Sequence, residues 1–252
     1  MKSYLASLFL LSTLGLLAAC SDSSNGSAGP AGPVTTQGAL NTVVFAYGCV
    51  GPGDAQCNAD SDLAPVGESS TFPDLAVGAS AKISAAYAPG ASSDGDTLTL
   101  DSVGGDYLTV GADGTTVTAV KAGTTDFIAR VGGAPVDYAL VNLKTVDHIK
   151  LLEASPQGDF KGGTISIGAG GVSAQANVTY TFKFRVVPVD GDGHILAGAF
   201  PIVWSSTNES IVKLTSASND NVATFQSGSA GHATVHVTLG TFSGDIAITV
   251  GS

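Results

Sequence analysis

The chain has 252 residues, a formal net charge of −11 and a charged fraction of only 12%. That sign argues against nucleic acid as a partner, because an acidic chain repels the phosphates that supply most of such binding. The hydrophobic fraction of 44%, with 33 glycines, excludes a disordered tail and suits a turn-rich, all-β protein of about two domains.

The first segment carries Lys2, an apolar run from Tyr4 to Leu17, and the small-residue site Leu17-Ala18-Ala19-Cys20. The run falls short of the roughly 20 residues that span a bilayer, and Ser7, Ser12, Thr13 and Gly15 interrupt it. This is the pattern of a targeting peptide, which lies outside fold reasoning. Ending in Cys20, it resembles a bacterial lipoprotein signal peptide. The resemblance implies removal of residues 1–19, acylation of Cys20, and a membrane partnership through lipid alone. Ser21, rather than Asp, follows the cysteine; by the sorting rule of lipoproteins this implies the outer membrane, on its surface-exposed or periplasmic face.

Residues 20–38 are rich in Ser, Gly, Ala and Pro and are expected to form a flexible tether. Beyond it, Cys49 and Cys57 form an even pair around a Gly- and Pro-rich stretch. In an oxidising envelope they are expected to form a disulfide contributing about 2–3 kcal/mol.

From Thr42 onward, short alternating runs rich in β-branched residues recur between Gly, Asp and Pro breaks. The first series includes Val44–Tyr47, Ala81–Tyr87, Thr97–Asp101, Tyr107–Val110, Thr115–Val120, Thr125–Val131 and Val136–Leu143. A second series follows from His148 to Val250. No stretch shows a helical apolar stripe, and the strand spacing predicts sandwiches or a barrel. The two series align: Ala122-Gly123 corresponds to Ala230-Gly231, and Asp101-Ser102 before Tyr107–Val110 corresponds to Ser205-Ser206 before Ile211–Leu214. A tandem duplication accounts for both. It predicts domains at 39–146 and 147–252, joined by a connection too short for wide swings.

Two motifs in the second series carry a further resemblance. Val203-Trp204-Ser205-Ser206-Thr207-Asn208-Glu209-Ser210-Ile211-Val212 and Gly228-Ser229-Ala230-Gly231-His232-Ala233-Thr234-Val235-His236-Val237 are similar to the strand motifs of bacterial Ig-like domains of group 2. The likeness covers residues 147–250; the first series is a degenerate copy without the Trp. It implies two tandem antiparallel Ig-like β-sandwiches with Trp204 as a core anchor. It also implies a non-enzymatic role in adhesion or partner presentation at the cell surface, with a protein or polysaccharide partner. The alternatives are an accessory lipoprotein of an envelope assembly and a carbohydrate-binding accessory protein.

The chemistry-bearing residues are few. His232 and His236 lie about 13 Å apart along a strand, too far to share a metal. Asp190-Gly191-Asp192-Gly193-His194 reads as a hairpin turn. Asp190 and Asp192 are weak Ca²⁺ candidates, because the twelfth position of a calcium loop is Pro201 rather than Glu. No cofactor is expected. Enzyme signatures are missing, and Glu68, Glu153 and Glu209 are the only glutamates. The insertion around the cysteines has no counterpart in the second series, so Gly51, Asp54, Asp60 and Asp62 form the candidate binding loop. Tyr47, Phe72, Tyr87 and Tyr107 are the candidate aromatics for sugar stacking.

Overall fold

The computed structural model describes residues 34–51, 53–56, 72–91, 97–102, 105–154, 165–168, 171–176, 180–216 and 220–251, those between 153 and 176 by their backbone alone. Cys20, Asp60 and Asp62 lie outside them. Every regular element among the described residues is a β-strand.

The first half contains β1 (Thr35–Gln37), β2 (Val43–Gly48), β3 (Leu75–Ala76), β4 (Ser80–Tyr87), β5 (Leu98–Ser102), β6 (Leu108–Val110), β7 (Thr116–Ala119), β8 (Gly123–Val131) and β9 (Ala134–Lys144). These pair as two sheets, β1-β2-β4-β7-β6 and β3-β9-β8-β5. The second half contains β10 (His148–Ala154), β11 (Ile165–Gly168), β12 (Gly171–Ala176), β13 (Thr181–Val189), β14 (Ile202–Ser206), β15 (Val212–Leu214), β16 (Val222–Ser227), β17 (Gly231–Leu239) and β18 (Phe242–Val250). Its sheets are β10-β13-β16-β15 and β11-β12-β18-β17-β14. Setting aside β1 and β11, the two strand orders are the same. In both halves the last strand also pairs in parallel with a short early strand, β3 with β9 and β12 with β18. Each half is a mainly antiparallel, Ig-like β-sandwich.

The alternation read in the sequence places the cores. In β2, Val43, Phe45 and Tyr47 are buried; in β17, Ala233, Val235, Val237 and Leu239 are buried while His232, Thr234 and His236 face outward. Trp204 is 2% exposed, stacks edge-on against Phe225 and donates Nε1–H to the Asp220 carbonyl at 2.8 Å. Phe182 and Phe184 complete this aromatic cluster.

The duplication extends to backbone detail. Gly123 and Gly231 open corresponding strands with φ of 148° and 149°. A Cβ at Gly123 would lie 2.7 Å from the Tyr107 ring, and one at Gly231 would lie 2.7 Å from Cδ1 of Ile211, the matching residue. Both positions require glycine, since the left-handed backbone and the close neighbour act together.

One boundary differs from expectation. The tether was placed through residue 38, yet Thr35–Gln37 pair with Val44–Ala46 as an edge strand. The pairing is a matter of backbone hydrogen bonds, which composition does not reveal, and the β-branched Thr35 and Thr36 suit a strand.

Candidate functional site

The first candidate is the seam between the sandwiches, and the insertion after Cys49 builds it. Residues 195–199, which link β13 to β14, run alongside residues 74–80 of the first sandwich. Ala76 donates its N–H to the Ala197 carbonyl at 2.9 Å, Ala197 donates to Asp74 at 2.9 Å, and Ser80 and Ala199 exchange two bonds. Ala76 and Ala79 belong to the hydrophobic cluster of the second sandwich, and Ala197 belongs to that of the first.

Asp54 sits in this seam and is 0% exposed. Its carboxylate accepts the Tyr47 hydroxyl at 2.5 Å, the Gln56 N–H at 3.1 Å and the Gly198 N–H at 3.1 Å. The next residues are gripped from the second sandwich: Asn221 Nδ2 donates to the Asp54 carbonyl and Arg185 Nη2 donates to the Ala55 carbonyl. Ala55 packs with Val187 and Val189. A Cβ at Gly53 would meet the Phe200 carbonyl oxygen at 2.5 Å, so the insertion touches backbone there. Burial lifts the Asp54 carboxyl above the usual carboxylate range, against the hydrogen bonds that lower it. Burial first, and then the neighbouring Asp54 charge, raise the Tyr47 hydroxyl far above its ordinary value, so it remains a donor.

This changes the reading of the candidate binding loop. Asp54 was expected to offer a carboxylate to a partner; it is enclosed and engaged within the chain. Gly51 is half-buried, and Asp60 and Asp62 lie outside the described residues. Cys49 is disulfide-bonded, and its expected partner Cys57 lies outside the described residues.

The sugar-stacking aromatics are redistributed as well. Tyr47 is buried; Phe72 lies edge-on between Tyr47 and Phe127 within the first core. The Tyr107 ring carries Lys121 Nζ at 5.1 Å, and Tyr87 ends β4, half-buried.

At the weak calcium candidate, Asp190 Oδ1 accepts the N–H groups of Asp192 at 3.0 Å and His194 at 2.9 Å. Gly193 donates to the Asp190 carbonyl and has φ +83°. The His194 N–H bond comes first among the causes that hold the Asp190 carboxyl below its ordinary value. Ligand atoms of Asp190, Asp192 and His194 lie within 4.8 Å of one another, but the bonds made by Asp190 are those of the turn the Asp-Gly pattern predicted.

The second candidate was missed in the sequence. On the outer face of β8 and β9, Leu40, Asp126, Ile128, Pro135, Val136, Asp137 and Tyr138 line a groove of about 330 Å³. Asp137 builds its end wall, its carboxylate accepting N–H groups from Leu40, Thr42, Val43 and Tyr138. Asp126 Oδ1 is buried in the wall with no hydrogen-bond partner. The missed signal was the run Val136–Leu143, in which Tyr138 and Leu140 fill the alternate positions that a half-solvated strand gives to polar residues.

No family model and no curated protein sequence matches the chain. Among solved structures it is similar to the Yersinia pseudotuberculosis adhesin InvE, at 14% identity and a TM-score of 0.31, over 71% of this chain and 56% of that one. It is similar to invasin, a bacterial integrin-binding protein, at 16% identity and a TM-score of 0.30, over 85% of this chain and 41% of that one. It is also similar to domains 5–6 of the S-layer protein SbsC, at 18% identity and a TM-score of 0.28, over 86% of this chain and 98% of that one. The fold assignment stands on the strand order itself.

Proposed function

We propose that this chain is a non-enzymatic, lipid-anchored protein of the cell envelope that holds two Ig-like sandwiches as one unit to present a binding surface at the cell surface. The observation that supports the single-unit part of this reading is the seam; the anchor rests on the apolar run that ends in Cys20. A protein that only needs two beads on a string does not bury a carboxylate between them. Here the insertion after Cys49, the β13–β14 connection and residues 74–80 share hydrogen bonds and apolar contacts across the joint. Such a joint fixes the direction in which the outer faces point, which is what presentation requires. The anchor is acylated Cys20, the pairing of Cys49 with Cys57 closes the base of the insertion, and the outer membrane is the site of attachment.

Two measurements test the reading. Labelling with radioactive palmitate is expected in the native protein and lost on Cys20→Ser; equal labelling of both would remove the anchor. Added protease is expected to digest the sandwiches on intact cells. Protection until the outer membrane is permeabilised would instead place them in the periplasm and favour an accessory role in an envelope assembly.

A further inference from the structure

The outer face of β8–β9 differs from the matching face of the other sandwich. In the second half, the cross-strand pair His236–Asp245 is polar and hydrogen-bonded at 2.5 Å. The matching pair in the first half is Ile128–Tyr138. One step along, Thr234 faces Ala247, whereas Asp126 faces Leu140. Tyr138 is 42% exposed, Leu140 65% and Leu40 60%. Single exposed apolar residues are ordinary, but here Leu40 and Tyr138 line the groove and Leu140 follows Tyr138 on the same face of β9.

Within that apolar wall Asp126 Oδ1 lacks a donor. A carboxylate oxygen enclosed without a partner is costly, and it selects for a ligand that supplies one. Asp126 itself lines the groove, and the terminal torsion of a carboxylate is soft, so the group is free to turn towards a donor placed there. An apolar groove with one unsatisfied anionic acceptor, on a chain of net charge −11, is complementary to a cationic donor carried on an aliphatic body.

We propose that this face docks a basic, aliphatic segment of a protein partner: an extended stretch that lays a Leu- or Ile-type side chain between Leu40, Ile128 and Tyr138 and directs a neighbouring Lys or Arg to Asp126. A glycan fits less well. Sugar sites need several convergent polar groups, and the Asp137 carboxylate is already occupied by four backbone donors. The inference goes beyond the display role and does not depend on how the chain is anchored.

The test titrates the full chain with a capped Leu-Lys-Leu-Lys-Leu-Lys peptide, with its Leu-Glu counterpart and with chitotetraose, following backbone amide shifts by NMR. The basic peptide is expected to move the resonances of Leu40, Asp126, Ile128 and Tyr138 and to bind at least tenfold more tightly than the acidic one. Asp126→Asn is expected to weaken it about tenfold. Tyr138→Lys, which sets a like charge on the exposed rim, is expected to abolish the shifts. Unchanged amide spectra elsewhere establish that each variant is folded. The proposal is overturned by equal binding of the two peptides, by shifts confined to other faces, by no binding at millimolar peptide, or by full affinity in Asp126→Asn. Saturable chitotetraose binding at these same residues would overturn it in favour of a glycan site.

Discussion

The two sandwiches share a strand order and glycine positions yet stabilise themselves differently. The second is organised around Trp204, seated on Phe225 and tied to the Asp220 carbonyl. At the matching position in β5 the first sandwich has Leu100, which is only partly buried against its core. What the first half lacks in aromatic bulk it gains from its insertion, which supplies Ala55 and Asp54 to the seam, and from Phe72, which fills space between Tyr47 and Phe127. The comparison teaches that topology was retained through duplication while burial was redistributed. One copy centres its core on a single large aromatic, the other on smaller residues and its insertion, and each lends residues to its neighbour across the seam.

The largest expected effect follows from this contrast. Trp204→Ala should destabilise the second sandwich by about 3–5 kcal/mol, while Leu100→Ala should cost the first about 1–2 kcal/mol, below the fully buried range. Urea unfolding monitored by residue-resolved NMR in each half checks this; equal losses would dissolve the distinction.

Next comes the seam. Asp54→Ala leaves the Tyr47 hydroxyl and the Gly198 N–H without their acceptor and should cost about 2–3 kcal/mol. Calorimetry should then resolve two transitions where the native chain gives one. The seam should also respond to pH. The folded carboxyl is raised above its unfolded value near 3.8. Its contribution is therefore full below that value and is lost as pH rises through the raised one. Asp54→Asn, neutral throughout, should lack this slope in a series of melts across that window.

Gly123→Ala and Gly231→Ala sharpen the comparison at matched sites. Each should cost about 1–3 kcal/mol for the backbone alone. The cost should be greater at Gly123, where the neighbour is a stiff Tyr107 ring rather than the movable end of Ile211. Equilibrium denaturation of the pair gives the difference directly. The smallest effect belongs to the outer faces: His236→Ala removes a solvent-exposed partner of Asp245 and should alter stability by less than about 0.5 kcal/mol.

Much of the fold was legible because alternation is a local signal. The run Ala233–Val237 declares its buried face, and Ala122-Gly123 and Ala230-Gly231 declare the repeat. Trp204 could be placed because a bulky residue flanked by strand formers has few other homes. The seam could not be read. Asp54 and Gly198 are 144 positions apart, and nothing local distinguishes a loop carboxylate that will be enclosed from one that stays in water. The groove lay between these extremes: Tyr138 and Leu140 broke the alternation visibly, but an apolar residue on the second parity is equally the mark of a strand buried on both faces.

The seam also sets an order of events. Asp54 and Tyr47 belong to the first third of the chain, whereas Gly198 and Asn221 lie in its last quarter. A chain that emerges from its N-terminus can complete most of the first sandwich early, but not this joint. Until Gly198 and Asn221 have appeared, Asp54 lacks both of these partners, and contacts of longest sequence separation form last and most slowly. Closing the joint therefore couples the first sandwich to the second, which supplies these donors.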